Sequence, residues 1–301
     1  MNKCNKKWLL TAVILTIVGA VVFVGALAII NFDFTKLSTQ KLETNTYEFN
    51  EDFDNIFVNV ETAAVTFVPS DNDVCKVECV EEESLKHSAK IQDGTLTISA
   101  VNNRKWYDYI CINFFWLPKV TVYLPREAYT SLSVATTTGN IEIPDKFSFE
   151  TVAVTGTTSN ITCHAQVSKS VEVKTTTGSI TLDSAQTETV NLSATTGKVI
   201  VNDVACNRLT AKSSTGHIQL ENVIAEESIK AQNTTGGVEL EGCDAADIMV
   251  NTSTGDVKGT LISEKIFITD TSTGKVSVPK TTSGGKCEIT TSTGDIDIGM
   301  K

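Results

Sequence analysis

The sequence predicts an all-β chain: a single-stranded β-solenoid, or β-helix, with coils of about 19 residues and two short strands per coil, preceded by one N-terminal transmembrane helix. Three observations predict it. A Thr-Gly marker recurs at near-constant spacing, apolar residues alternate on both sides of each marker, and residues 8–30 form an uncharged run near the N-terminus.

At about 1.5 Å per residue the run from Trp8 to Ile30 reaches roughly 35 Å, enough for a bilayer core. Lys3, Lys6 and Lys7 precede it, whereas Asp33 and Lys36 nearly cancel after it. The positive-inside rule then predicts a cytoplasmic tail at 1–7, a signal anchor at 8–30 and an extracytoplasmic remainder. This is a single-pass plasma-membrane protein, with a juxtamembrane linker at 31–43. Ala26-Leu27-Ala28 resembles a signal-peptidase site, so a cleaved signal is the competing reading. Cys4 precedes the apolar run, which argues against lipoprotein processing.

Val and Ile dominate the apolar set, and such β-branched residues suit a pleated surface. A net charge of -11, with no basic patch beyond the first residues, excludes nucleic acid as a partner. The eight cysteines are scattered without a C-x-x-C pair, so they read as small buried apolar residues. Cys75 and Cys79 share a face if their segment is a strand.

With the marker Gly as position zero, the repeat falls at Gly139, Gly178, Gly197, Gly216, Gly236, Gly255, Gly274 and Gly294, and Ser159 fills the first gap. The spacings are 20, 19, 19, 19, 20, 19, 19 and 20 residues. Thr155-Gly156 lies out of register. Apolar residues occupy positions -7 and -5 (Val171/Val173, Val190/Leu192) and +2 and +4 (Ile180/Leu182, Val199/Val201). Each repeat therefore holds two half-buried strands meeting at a corner, and stacking the repeats merges their apolar columns into one core. The marker Gly is expected to supply a positive φ, with an altered corner at Ser159. Thr fills position -1 at every marker and Thr or Ser fills -2. Alternation predicts the -1 column inward and the -2 column outward as a hydroxyl ladder. Regular repeats are expected over 131–301.

Residues 44–130 show strands without clean periodicity and read as irregular first coils plus a cap. Asp93-Gly94 marks a hairpin or corner turn, and Pro125 ends the strand through Val120, Val122 and Leu124. Trp106, Tyr107, Tyr109, Phe114, Phe115 and Trp116 crowd one short stretch. They read either as a plug over the open core or as a surface that binds sugar or membrane.

Val122-Tyr123-Leu124-Pro125-Arg126, Ser131-Leu132-Ser133-Val134 and Thr136-Thr137-Thr138-Gly139-Asn140-Ile141, with Asp93 to Ile98 upstream, carry a resemblance. Over residues 45–298 the chain resembles the bacterial "putative adhesin" family of unknown function, including LiaG-like membrane proteins of Gram-positive envelope-stress operons. The resemblance implies an extracytoplasmic β-solenoid with an adhesin-like or envelope role, and it brings no catalytic residues.

His87, His164 and His217 form no metal-binding spacing, and neither a nucleophile elbow nor a phosphate loop occurs. The expectation is a non-enzyme without cofactor or metal. It is a surface scaffold that binds protein or glycan, the alternative being an envelope-stress regulatory or structural protein acting through partners. Ice binding needs two parallel outward Thr rows on a flat face, and the mixed -4 column argues against it. Because the sequence stops at Lys301, shortly after Ile298, the coil of the last marker is expected to be an uncovered edge open to self-association or docking.

Overall fold

A computed structural model describes residues 3–29, 31, 42–102 and 118–301. Helix α1 (Lys3–Ile29) contains the 22 residues Trp8–Ile29, long and apolar enough to cross a membrane and almost entirely exposed. In hydrocarbon an apolar segment must satisfy its backbone internally, which a helix does. It fits a single-pass anchor or a signal sequence.

The first strands are β1 (Leu42–Phe49), β2 (Asn55–Thr62), β3 (Ala64–Pro69), β4 (Cys75–Glu82), β5 (Leu85–Gln92), β6 (Thr95–Asn102) and β7 (Lys119–Leu124). β1 pairs antiparallel with β4, β4 with β7, and β5 with β6, which closes one end of the fold. The β5–β6 hairpin turns at Asp93 (φ 50°) and Gly94 (φ 69°), the left-handed pair that a two-residue turn requires.

Coils follow, each with a longer and a shorter strand. They are β8 (Ala128–Thr138) with β9 (Ile141–Ile143), β10 (Ser148–Thr158) with β11 (Ile161–Cys163), and β12 (Gln166–Thr177) with β13 (Ile180–Asp183). Next come β14 (Gln186–Thr196) with β15 (Val199–Asn202), β16 (Ala205–Thr215) with β17 (Ile218–Glu221), and β18 (Ile224–Thr235) with β19 (Val238–Cys243). The last are β20 (Asp247–Thr254) with β21 (Val257–Leu261), β22 (Lys265–Thr273) with β23 (Val276–Ser277), and β24 (Gly285–Thr293) with β25 (Ile296–Met300). The protein is a parallel β-solenoid. Its strands are less equal than the alternation implied, since β12 and β18 each run to 12 residues.

Pairing is in register with the repeat. Val171, Val190, Leu209, Ile229 and Ile248 lie one above another, and so do Ile180, Val199, Ile218, Val238 and Val257. All are buried, and they belong to one continuous core. A slip of one residue would turn a whole column to solvent, so the apolar pattern fixes the register.

The marker glycines explain how closely the coils stack. A Cβ on Gly197 would lie 1.9 Å from the Gly178 carbonyl oxygen, and one on Gly216 would lie 2.0 Å from that of Gly197. The same approach recurs at the other marker glycines, from Gly139 onto the Ala63 oxygen to Gly274 onto that of Gly294. Most also hold a positive φ, 147° at Gly197 and 150° at Gly216. Gly274 does not, so close approach and not φ is the requirement common to all. The second corner uses left-handed Ser184, Asp203 and Asn222 (φ 56°, 54° and 52°), polar residues that tolerate this region.

Order in the stack differs from order in the sequence at both ends. β24 lies between β20 and β22, and β25 between β21 and β23. Similarly β2 lies between β6 and β8, and β3 between β7 and β9. The expected uncovered edge at the last marker is therefore corrected: the coil containing Gly294 and Ile298 is paired on both sides, and β22 and β23 form the outer layer instead. The returning chain enters its slot at Gly284-Gly285. A Cβ on Gly284 would stand 1.8 Å from the Glu264 oxygen, and one on Gly285 2.3 Å from the Ala246 oxygen.

Replacing Gly216 by Ala should cost about 3 kcal/mol or more, from backbone strain plus overpacking. Gly299→Ala, where a Cβ would meet nothing nearer than a Thr260 methyl at 3.7 Å, should cost under about 1 kcal/mol. Chemical denaturation of the two variants checks the contrast.

Candidate binding surface

Position -3, not -1, turns inward beside the marker. Thr136, Thr175, Ser213, Asn233, Thr252 and Thr291 are buried there. Their side chains donate to the marker carbonyl of the neighbouring coil: Thr175 Oγ1 to Ser159 at 3.0 Å, Ser213 Oγ to Gly197 at 3.0 Å, Asn233 Nδ2 to Gly216 at 2.7 Å and Thr291 Oγ1 to Gly255 at 3.1 Å. A buried carbonyl left without a donor would cost about 1–3 kcal/mol. This explains the small donor found at most -3 positions, Ala194 being an exception, and corrects the expectation that the -1 threonines face inward. Apart from half-buried Thr138, the -1 residues from Thr158 to Thr293 are exposed, as is every -2 residue from Thr137 to Ser292.

The corner at Ser159 is altered in an instructive way. Ser159 Oγ itself donates to the Gly139 carbonyl. The out-of-register Gly156 then occupies position -3, where a Cβ would sit 2.5 Å from that of Ser159. Donor and glycine have exchanged places.

Just past the marker, position +1 forms a second polar column that sequence reasoning did not single out. Most of its side chains accept the N–H of the next coil's +1 residue. Asn160 Oδ1 receives Ser179 N at 2.8 Å, His217 Nδ1 receives Gly237 N at 3.1 Å, and Asp256 Oδ1 receives Asp295 N at 2.9 Å. Gly237 interrupts this column between His217 and Asp256. A groove of about 750 Å3 opens there, lined by Lys198, His217, Asp256, Lys258 and the exposed threonines Thr235 and Thr254 among others. Within it Glu239 accepts Gln219 Nε2 at 3.2 Å and lies 3.3 Å from Lys258 Nζ. The Gln219 hydrogen bond outweighs partial burial and, with Lys258, holds the Glu239 carboxyl below its ordinary value. The groove offers mixed charge, hydroxyls and exposed backbone, a set suited to hydrogen-bonding a polar polymer.

Trp106, Tyr107, Tyr109, Phe115 and Trp116 lie outside the described residues. Six cysteines, Cys75, Cys79, Cys163, Cys206, Cys243 and Cys287, are buried with free thiols. Burial pushes Cys75, Cys79 and Cys287 up to about 12 and Cys163, Cys206 and Cys243 up to about 11.

Stacked coils with a polar corner face define a class, the repeat β-solenoids whose surface columns run the length of the rod. The chain belongs to the Toastrack DUF4097 family, whose profile matches residues 53–300. No curated protein matches it. Among solved structures it is similar to a putative adhesin from Parabacteroides distasonis (13% identity, 87% of this chain and 98% of that one, TM-score 0.49). A putative adhesin from Parabacteroides merdae gives 12%, 88%, 98% and 0.47. A putative lipid binding protein from P. distasonis gives 15%, 86%, 97% and 0.47.

A thiol kept protonated by the fold and free to ionise in the unfolded chain stabilises the protein fully below its ordinary value near 9. That contribution is lost as pH rises toward 11–12. Urea midpoints should therefore fall between about pH 9 and 11. At about pH 8 the buried thiols should resist alkylation until denaturant is added, and rapid native-state labelling of all six would contradict the burial.

Proposed function

We propose that the chain is a non-enzymatic surface rod, held by α1 as an uncleaved plasma-membrane anchor with its N-terminus in the cytoplasm. In this reading the solenoid, with regular repeats over 131–301 behind irregular coils and a cap at 44–130, stands outside the membrane. There it binds a polar polymer, glycan or polypeptide, along the corner face. The groove at Gly237 carries the proposal, because it breaks a regular polar column with a recess of ligand size. Lysines before the helix and a near-neutral flank after it support the orientation.

The test is binding of the full chain in lipid nanodiscs to cell-wall glycans and matrix proteins. Lys198→Glu with Lys258→Glu should weaken capture at least about tenfold, the scale of about 1.4 kcal/mol, and leave the unfolding curve unchanged. If no ligand is captured and deletion alters only the transcriptional response to cell-wall antibiotics, the envelope-regulatory alternative replaces adhesion.

A further inference from the structure

The closed end holds a cluster that the surface function does not use. Along β4 the inward row reads Cys75, Val77, Cys79, Glu81, so a carboxylate stands where the row calls for an apolar residue. Glu81 is fully buried, and burying a carboxylate is costly unless it is paired. Its partner comes from β5. Glu81 Oε2 accepts both the His87 backbone N–H at 2.6 Å and His87 Nδ1 at 2.7 Å. β1 supplies the rest of the support: Asn45 Nδ2 donates to Glu81 Oε1 at 2.6 Å, and the Tyr47 hydroxyl donates to the His87 carbonyl at 2.6 Å. Three strands thus fix the two side chains.

Two features exceed what a simple buried pair needs. His87 Nε2 is buried without a hydrogen-bond partner among the described residues. The Cys79 thiol completes a triangle, because its Sγ, a Glu81 carboxylate oxygen and a His87 ring nitrogen all lie within 4.8 Å of one another.

We propose that Cys79, Glu81 and His87 form a buried site for one divalent cation of the zinc class. The ion enters between Glu81 Oε2 and His87 Nδ1, whose ring proton passes to the unpartnered Nε2 so that the imidazole stays neutral, and draws in the Cys79 sulfur. Tetrahedral zinc, with bonds of about 2.0–2.3 Å, holds its ligand atoms roughly 3.3–3.8 Å apart. Small side-chain rotations reach that spacing: the Glu81–His87 contact opens by about half an ångström and the sulfur moves inward. The sulfur, nitrogen and oxygen donors select against calcium and magnesium, which prefer oxygen alone. Charge also closes, since a thiolate and a carboxylate neutralise the divalent ion with a neutral imidazole as third ligand. Burial and the nearby Glu81 charge push the Cys79 thiol up to about 12, so the ion must displace its proton, and binding releases one proton at that sulfur. The bound ion joins β4 to β5 and staples the cap.

The experiment uses the full chain in detergent, stripped with chelator and titrated with cobalt(II). The expected result is saturation at one equivalent, with a sulfur-to-cobalt charge-transfer band, tetrahedral d–d absorption and displacement of both by zinc. Zinc should also raise the melting temperature. Cys79→Ser should abolish the charge-transfer band and His87→Gln should weaken binding at least about tenfold. Cys75→Ser, in the same inward row but outside the triangle, should keep the band. The wild-type spectrum decides even if a variant fails to fold. Absence of a sulfur-to-cobalt band overturns the site, as does its equal loss in Cys75→Ser and Cys79→Ser.

Discussion

Everything regular in this protein depends on how closely one corner can lie on the next. A glycine at eight of the nine markers brings the backbone against the neighbouring coil's carbonyl oxygen, and a Cβ there would stand about 2 Å from it. In most coils that carbonyl is in turn satisfied by the inward donor at -3, Ala194 beside Gly197 being the exception. At most corners the constraint therefore joins two positions: no side chain at zero and a short donor three residues earlier. Once it is met, the apolar columns at -7, -5, +2 and +4 superpose and the core follows. At Ser159 and Gly156 the two residue types are exchanged, and the hydrogen bond to the neighbouring Gly139 carbonyl is kept.

Most of the architecture was legible in the sequence because stacking repeats one chemical environment every 19 or 20 residues. The apolar columns, the corners and the hairpin at Asp93-Gly94 were all read from periodicity and turn chemistry. Strict alternation misled beside the corner, where -2 and -1 both turn outward although each long strand runs through -1. Stack order was not legible. Each corner offers its neighbours nearly the same surface, so periodicity does not say which coil lies beside which. Gly284-Gly285 was the one local signal, and its meaning depends on Glu264 and Ala246, which only the folded chain brings to it. The Glu81–His87 cluster was hidden for a related reason: Glu81, His87 and Asn45 meet through antiparallel pairings that carry no repeat.

Insertion at the ends has a structural consequence. Early and late coils of the solenoid each gain a neighbour on both sides, while β22 and β23 become the outer layer. Ile266, Ile268 and Val276 are exposed on that layer. The groove is the local counterpart of the same economy: a second glycine at 237, beside the marker Gly236, removes one side chain from a continuous column and leaves a recess in an otherwise even face.

The central claim, that stacking at equivalent corners allows the coil order to depart from the sequence order, is tested most directly by hydrogen exchange. Interior placement predicts that the amides of β24 and β25 exchange as slowly as those of β20, and that those of β22 and β23 exchange faster although they precede β24 in the chain. A monotonic rise in exchange rate from β20 through β22 to β24 would contradict it.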